Sequence, residues 1–199
     1  MKKLAAQDRS ALIKLASGLK PGSPERVAIL AGLTKQSGED FNIPGKHILD
    51  NAIVRGNAYV GGKAEVKGDA KVFGNAKVYD KAKVGGDAWV TGRAKVYDGA
   101  EVFGDNAKVF GKAEVYGNAK VSGNAEVYDG AEVFGDAKVY GDADVYGKAE
   151  VFGNAHVSGY AKVYGKANIS GTATILGGVW DGSEGPITSG KWKAPGVPA

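Results

Sequence analysis

A chain of 199 residues with 26 basic and 22 acidic side chains, net charge +4, has room for one or two domains. Residues 1–50 hold eight basic and five acidic groups, residues 51–178 sixteen and fifteen, and the remainder two of each, which excludes the dense basic footprint of a nucleic-acid binder. The chain has no Cys, which excludes disulfides and thiolate metal sites.

At the start, Lys2 and Lys3 are followed by Asp8, Arg9 and Ser10 instead of an apolar core. This predicts neither a secretory signal nor a transmembrane segment, hence no membrane partner and a cytoplasmic or virion-associated location. Residues 10–18 (S-A-L-I-K-L-A-S-G) read as a short helix with Leu12, Ile13 and Leu15 towards one face, broken by Pro21 and Gly22. Ser23-Pro24-Glu25-Arg26 then opens a second helix, with Ser as N-cap and Pro in the first turn, ending near Gly32. Residues 1–50 are therefore expected to be a helical hairpin and linker that either caps the rest of the chain or docks a partner.

From residue 51 to 178 the chain repeats a six-residue phrase. An aliphatic residue falls every six positions from Val54 to Val102 and again from Val109 to Ile175, in nine and then twelve copies. Ala stands two residues before each of them, from Ala52 to Ala173. Ala-x-Val is a two-residue alternation that puts the small and the medium side chain on one face. One outward residue follows, then a turn pair such as Gly74-Asn75 or Gly141-Asp142, of residue types that accept positive φ. A short strand and a tight corner every six residues suit a coil of three sides. One copy has seven residues, because Asp105 and Asn106 share a place that holds one elsewhere. The extra residue is expected to bulge outward at a corner, since within Ala-x-Val it would turn every later side chain to the wrong face.

With Val72 and Ala76, or Val133 and Ala137, in its aliphatic and small slots, the phrase resembles the hexapeptide repeat of left-handed parallel β-helices. It is also similar to that of bacterial and phage β-solenoid proteins, and the N-terminal segment resembles leaders of phage-encoded proteins. The resemblance implies left-handed coiling. Twenty-one copies at three per turn predict an all-β solenoid of about seven three-sided coils behind a short helical segment. Residues 179–199, with Trp180, Ile187 and Trp192 among Gly and Pro, are expected to fold over the last coil or swap into a neighbour.

Outward residues eighteen apart, or nineteen across the seven-residue copy, stack on one side. Tyr79, Tyr97, Tyr116, Phe134 and Phe152 then form one column, and Phe110, Tyr128, Tyr146 and Tyr164 a second; the third side has only Phe103 and Tyr140, separated by Ser122. Stacked rings either shield the coil pairing or offer a binding face for another subunit, a virion component or a glycan. These nine residues are the candidate interaction site.

Relatives with this repeat include acyltransferases and γ-class carbonic anhydrases. The latter need three His around zinc, and this chain has only His47 and His156. The acyltransferases use a His general base beside a long loop. His156 takes an outward slot and no corner is lengthened by more than one residue, so both His read as surface or cap residues. Asp80, Asp98 and Asp129 replace corner glycines singly, too sparse for calcium and suited to stabilising turns. The expectation is a non-catalytic structural or interaction protein, without cofactor or metal, that forms a homo-oligomer or enters a larger assembly such as a phage virion. The alternatives are an acyltransferase-like enzyme using His156 and a glycan-binding module.

Overall fold

The computed structural model describes residues 47–193. The helical hairpin expected within residues 1–46, and residues 194–199, lie outside the described part.

The alternation in Ala-x-Val does what its period requires. Strands of mostly two residues, such as Lys71–Val72 and Glu132–Val133, each send one side chain out and one in. From Ala64 to Ala173 and from Val66 to Ile175, every inward residue of the repeat is at most 2% exposed. The backbone bonds run from coil to coil, as where the Lys71 N–H donates to the Ala88 carbonyl and that of Phe73 to Val90, each at 2.9 Å. A two-residue strand has no stability of its own, so each coil is held by its neighbours above and below.

The described residues form a parallel all-β solenoid of about eight turns, with three sheets of eight, seven and eight strands and no helix. We number its sides by chain order: the first begins at Ile53–Val54, the second at Tyr59–Val60 and the third at Glu65–Val66. At about 4.8 Å per coil the prism is roughly 38 Å long.

The eighth turn comes from both ends. Ile48 bridges Val66, adding a rung before the Ala-x-Val series begins. In the tail Trp180 pairs with Val163, Ile187 with Ile169 and Trp192 with Ile175, so residues 179–193 carry on the coil with larger side chains. Trp180 and Ile187 are buried, and the two indoles meet edge to face at 5.9 Å across the end of the core. The Trp180 and Trp192 indole N–H groups donate to the Gly177 and Ser189 carbonyls.

At the seven-residue copy the insertion is confined to a corner. Ala107 and Val109 return to the core fully buried, while Asp105 and Asn106 are exposed. Gly104 takes φ 142°, whereas most corner glycines lie near 70°, as Gly74 does at 69°. Asn106 resumes the normal corner place: its backbone N–H donates to the Gly123 carbonyl, as that of Asn124 does to Gly141. Its side chain continues a ladder through Asn124 to Asp142, at 3.4 and 2.9 Å. Asp105 is thus the extra residue, and it is exposed with no salt bridge among the described residues.

Candidate functional site

Parallel in-register pairing places like on like. Tyr79, Tyr97, Tyr116, Phe134 and Phe152 stack on the second side with centroids 4.8–5.0 Å apart and ring planes within 6° of parallel. Phe110, Tyr128, Tyr146 and Tyr164 stack on the first side at 4.7–5.0 Å. On the third side Phe103 lies opposite Ser122 and no ladder forms; its ring lies over Gly85, with the Lys67 ammonium 5.5 Å away.

All nine ladder residues are half-buried, and their faces are occupied by one another. Each stacked pair contributes about 0.5–1.5 kcal/mol, which strengthens coil-to-coil pairing. Only ring edges and hydroxyls reach solvent along a ladder. A sugar that stacks on an aromatic face finds none free between the end rings.

The two ladders differ in what their hydroxyls do. On the second side Tyr97 donates to Glu114 at 3.1 Å and Tyr116 to Glu132 at 3.0 Å. The next rung is Phe134, which has no hydroxyl, and Glu150 instead accepts from the Asn168 amide at 3.4 Å. These bonds help Glu114, Glu132 and Glu150 to share one column of directly paired carboxylates, with Lys95 bridging to Glu114 at 2.6 Å. On the first side the hydroxyls of Tyr128, Tyr146 and Tyr164 make no hydrogen bond among the described residues. All three hydroxyls of the first-side ladder are therefore uncommitted, against Tyr79 alone on the second side.

Burial, followed by the hydrogen bond to Glu114, raises the Tyr97 phenol. Burial and the bond to Glu132 push Tyr116 up to about 12, and burial beside Asp144 pushes Tyr128 up to about 12. A phenol with a folded-state pKa above its unfolded value of about 10 adds stability that is fully present below pH 10. That contribution is lost as pH rises through about 12, the value for Tyr116 and Tyr128. Ultraviolet titration of the nine tyrosines should show a native fraction that ionises well above pH 10, with the melting temperature falling over the same range. A single phenolate transition at the free value, with constant stability, would contradict this.

The remaining candidates fall apart as chemical sites. His47 Nδ1 lies 2.9 Å from the Ala64 carbonyl oxygen at the first described coil. His156 stands outward on the third side, edge-on to Tyr140 at 6.3 Å. Six rungs separate the neighbouring Ile48 and Val157 on that side, roughly 29 Å at 4.8 Å per rung, so the two imidazoles cannot act together. Asp80, Asp98 and Asp129 hold φ of 60°, 57° and 57° at corners, and the Asp98 carboxylate accepts the Gly117 N–H of the next coil at 3.3 Å. Asp50 does the same for Gly68 at 3.0 Å. Their role is in the turn. Among the described residues no three His, Asp or Glu groups converge as metal ligands, and the only buried polar residues are Ser158 and Ser170.

Charge is also segregated at the corners, a pattern that residue spacing along the chain does not bring out. Between the third and first sides the corner residues include Asp50, Asp69, Asp87, Asp105 and Asp142 and no Lys or Arg. Between the first and second sides they include Arg93, Lys112, Lys148 and Lys166, with Asp129 among them and Asp181 and Glu184 in the last turn. The corner between the second and third sides is mixed, with Lys63, Lys81, Asp80, Asp98 and Asp136. The signal that reveals it is the order of corners by coil, instead of along the chain.

No helix among the described residues is long and apolar enough to cross a membrane. No known protein family matches the chain, and neither a curated protein nor a solved structure does.

Proposed function

We propose that this chain is a non-catalytic structural or interaction module, a rigid β-helical prism that associates with its own copies or is built into a larger assembly. The observation that carries this reading is the unbroken aliphatic core beneath corners that, within the repeat, hold two residues and once three. Such a surface has flat sides and stacked ladders but, among the described residues, no loop that folds back to enclose a substrate. The likeness of the six-residue phrase to hexapeptide-repeat β-helices supports left-handed coiling. Its likeness to bacterial and phage solenoid proteins includes a virion among the assemblies proposed.

The acyltransferase alternative needs His156 to act on a flat, open side without a neighbouring His. The glycan alternative needs free ring faces, which the ladders use internally. Neither is favoured by an observation of its own.

The test is the solution mass of the full chain, by light scattering over a range of concentrations. Association predicts a multiple of the 20.5 kDa chain mass. Tyr128→Lys with Tyr146→Lys, on the ladder with uncommitted hydroxyls, should leave the protein folded and reduce that mass. Tyr97→Lys with Tyr116→Lys should lower stability and leave the mass unchanged. A chain that stays monomeric at high concentration would remove self-association, and acyl-CoA binding abolished by His156→Ala would replace the reading with the enzymatic one.

A further inference from the structure

The two charged edges border the same side of the prism. Each turn passes through a corner of the acidic edge, crosses the first side as Ala-x-Val, and reaches a corner of the basic edge. Asp87 is followed by Arg93 and Asp142 by Lys148, six residues on, while Asp105, which carries the inserted place, is followed by Lys112. In the turn between the last two, Asn124 lies on the acidic edge, and Asp129 and Gly130 on the basic one. Three acidic and three basic rungs therefore share heights, while Asp69 is level with Asn75 and Lys166 with Tyr160.

All six charged residues are exposed, and none joins a salt bridge among the described residues. The width of the first side separates the two edges within one chain, so they cannot neutralise each other there. The pattern is complementary to a second copy. If one prism is rotated about an axis parallel to its length, every corner keeps its height and the basic edge of one copy comes beside the acidic edge of the next. Asp87, Asp105 and Asp142 then face Arg93, Lys112 and Lys148 of a neighbour, and the Asn124 corner faces that of Asp129 and Gly130. Turning the partner upside down brings acidic edge to acidic edge, which repulsion disfavours. The first side would be the covered one. It carries the ladder with uncommitted hydroxyls and two of the exposed large apolar residues, Trp89 at 40% and Val179 at 58%.

We propose that copies of this chain associate side by side with parallel axes and matching heights, the acidic edge of one against the basic edge of the next across the first side. This deepens the assembly reading and rests on it. The contact closes as a dimer or ring, or continues as a filament if the rotation does not close.

Charge reversal tests it. One variant combines Asp87→Lys, Asp105→Lys and Asp142→Lys; the other combines Arg93→Glu, Lys112→Glu and Lys148→Glu. All six positions are exposed corner places outside the core, and circular dichroism checks that each variant folds. Each variant alone should self-associate at least about tenfold more weakly than the wild type, because both of its edges then carry one sign. An equimolar mixture should recover association as a 1:1 complex. If the wild type associates and both variants associate as well as it does, the edge proposal is wrong and the assembly reading stands. If the wild type is monomeric throughout, both fail.

The chain has no Cys, so an introduced pair reports height directly. Mixed Asp105→Cys and Lys112→Cys chains should form an oxidised cross-link, whereas Asp105→Cys with Lys166→Cys, three rungs apart, should not. Self-cross-linking of Asp105→Cys alone would mean the antiparallel arrangement and would overturn the proposal.

Discussion

Val121→Asp is expected to abolish the cooperative unfolding transition of the solenoid or lower its stability by more than about 4 kcal/mol. Val121 is fully buried on the third side, where it pairs with Val102 in one direction and Val139 in the other. A carboxylate there meets only methyl groups, with no donor and no route for water. It must either ionise in a dry core or take up a proton, and either outcome costs several kcal/mol. Because coils stabilise only their neighbours, the damage should reach both directions from the middle of the prism. Lys138→Asp, an outward change one coil away between Lys120 and His156, is the matched control and should stay within about 0.5 kcal/mol. Chemical denaturation of the two variants gives the comparison. Equal midpoints would mean that the inward face is not the core.

Gly104→Ala should be the most damaging of the mild substitutions, at about 3 kcal/mol. Two costs coincide. The φ of 142° lies in a region that essentially only Gly occupies, and a Cβ there would approach the Gly123 backbone N and O to 2.6 Å. No flexible side chain is present to move aside; the obstacle is the backbone of the next coil. Gly141→Asp makes the useful contrast. Gly141 has φ 72°, close to what Asp80, Asp98 and Asp129 already adopt, and a Cβ there keeps 3.1 Å from its nearest neighbour, Gly159. Its loss of stability should be less than half as large. Similar midpoints for the two would show that the inserted corner relaxes freely.

Most of the fold could be read from residue spacing because the core uses one rule throughout. Ala52 to Ala173 and Val54 to Ile175 never break the alternation, so periodicity alone placed the strands, the corners and the outward bulge at the corner of Asp105 and Asn106. The turn count fell short where the rule ends. Aliphatic steps of six give way to Ile175, Trp180, Ile187 and Trp192, spaced five, seven and five apart, and the pairing is kept by corners of uneven length. At the other end Ile48 lies six before Val54 but has Lys46 where Ala would stand. The ladders were legible as columns, since a step of eighteen or nineteen suffices to align them. Their difference was not. Whether Tyr116 donates to Glu132 or to solvent depends on which rotamers stacked rings adopt, and spacing carries no information about that. The corner charges were in plain view as letters, but Asp87 and Asp142 are 55 positions apart in the chain and three coils apart in space.

The uniformity of the core has a consequence for how such a chain can change in length. From Ala52 to Val163 every inward slot is an Ala or a Val on every side, so the interior there holds no memory of which side it belongs to. Removing residues 125–142, one full turn, would shorten the prism by about 4.8 Å and return each later residue to its own side. Removing only six would fill the core equally well, yet every surface residue beyond the cut would move round to the adjacent side. The acidic corners would continue as basic ones and both ladders would be severed, with no methyl group out of place. Side identity is kept by counting alone. Duplication or loss in whole turns therefore gives an adjustable ruler whose graduation is the strand spacing, and any other multiple of six residues leaves a stable prism with a scrambled exterior.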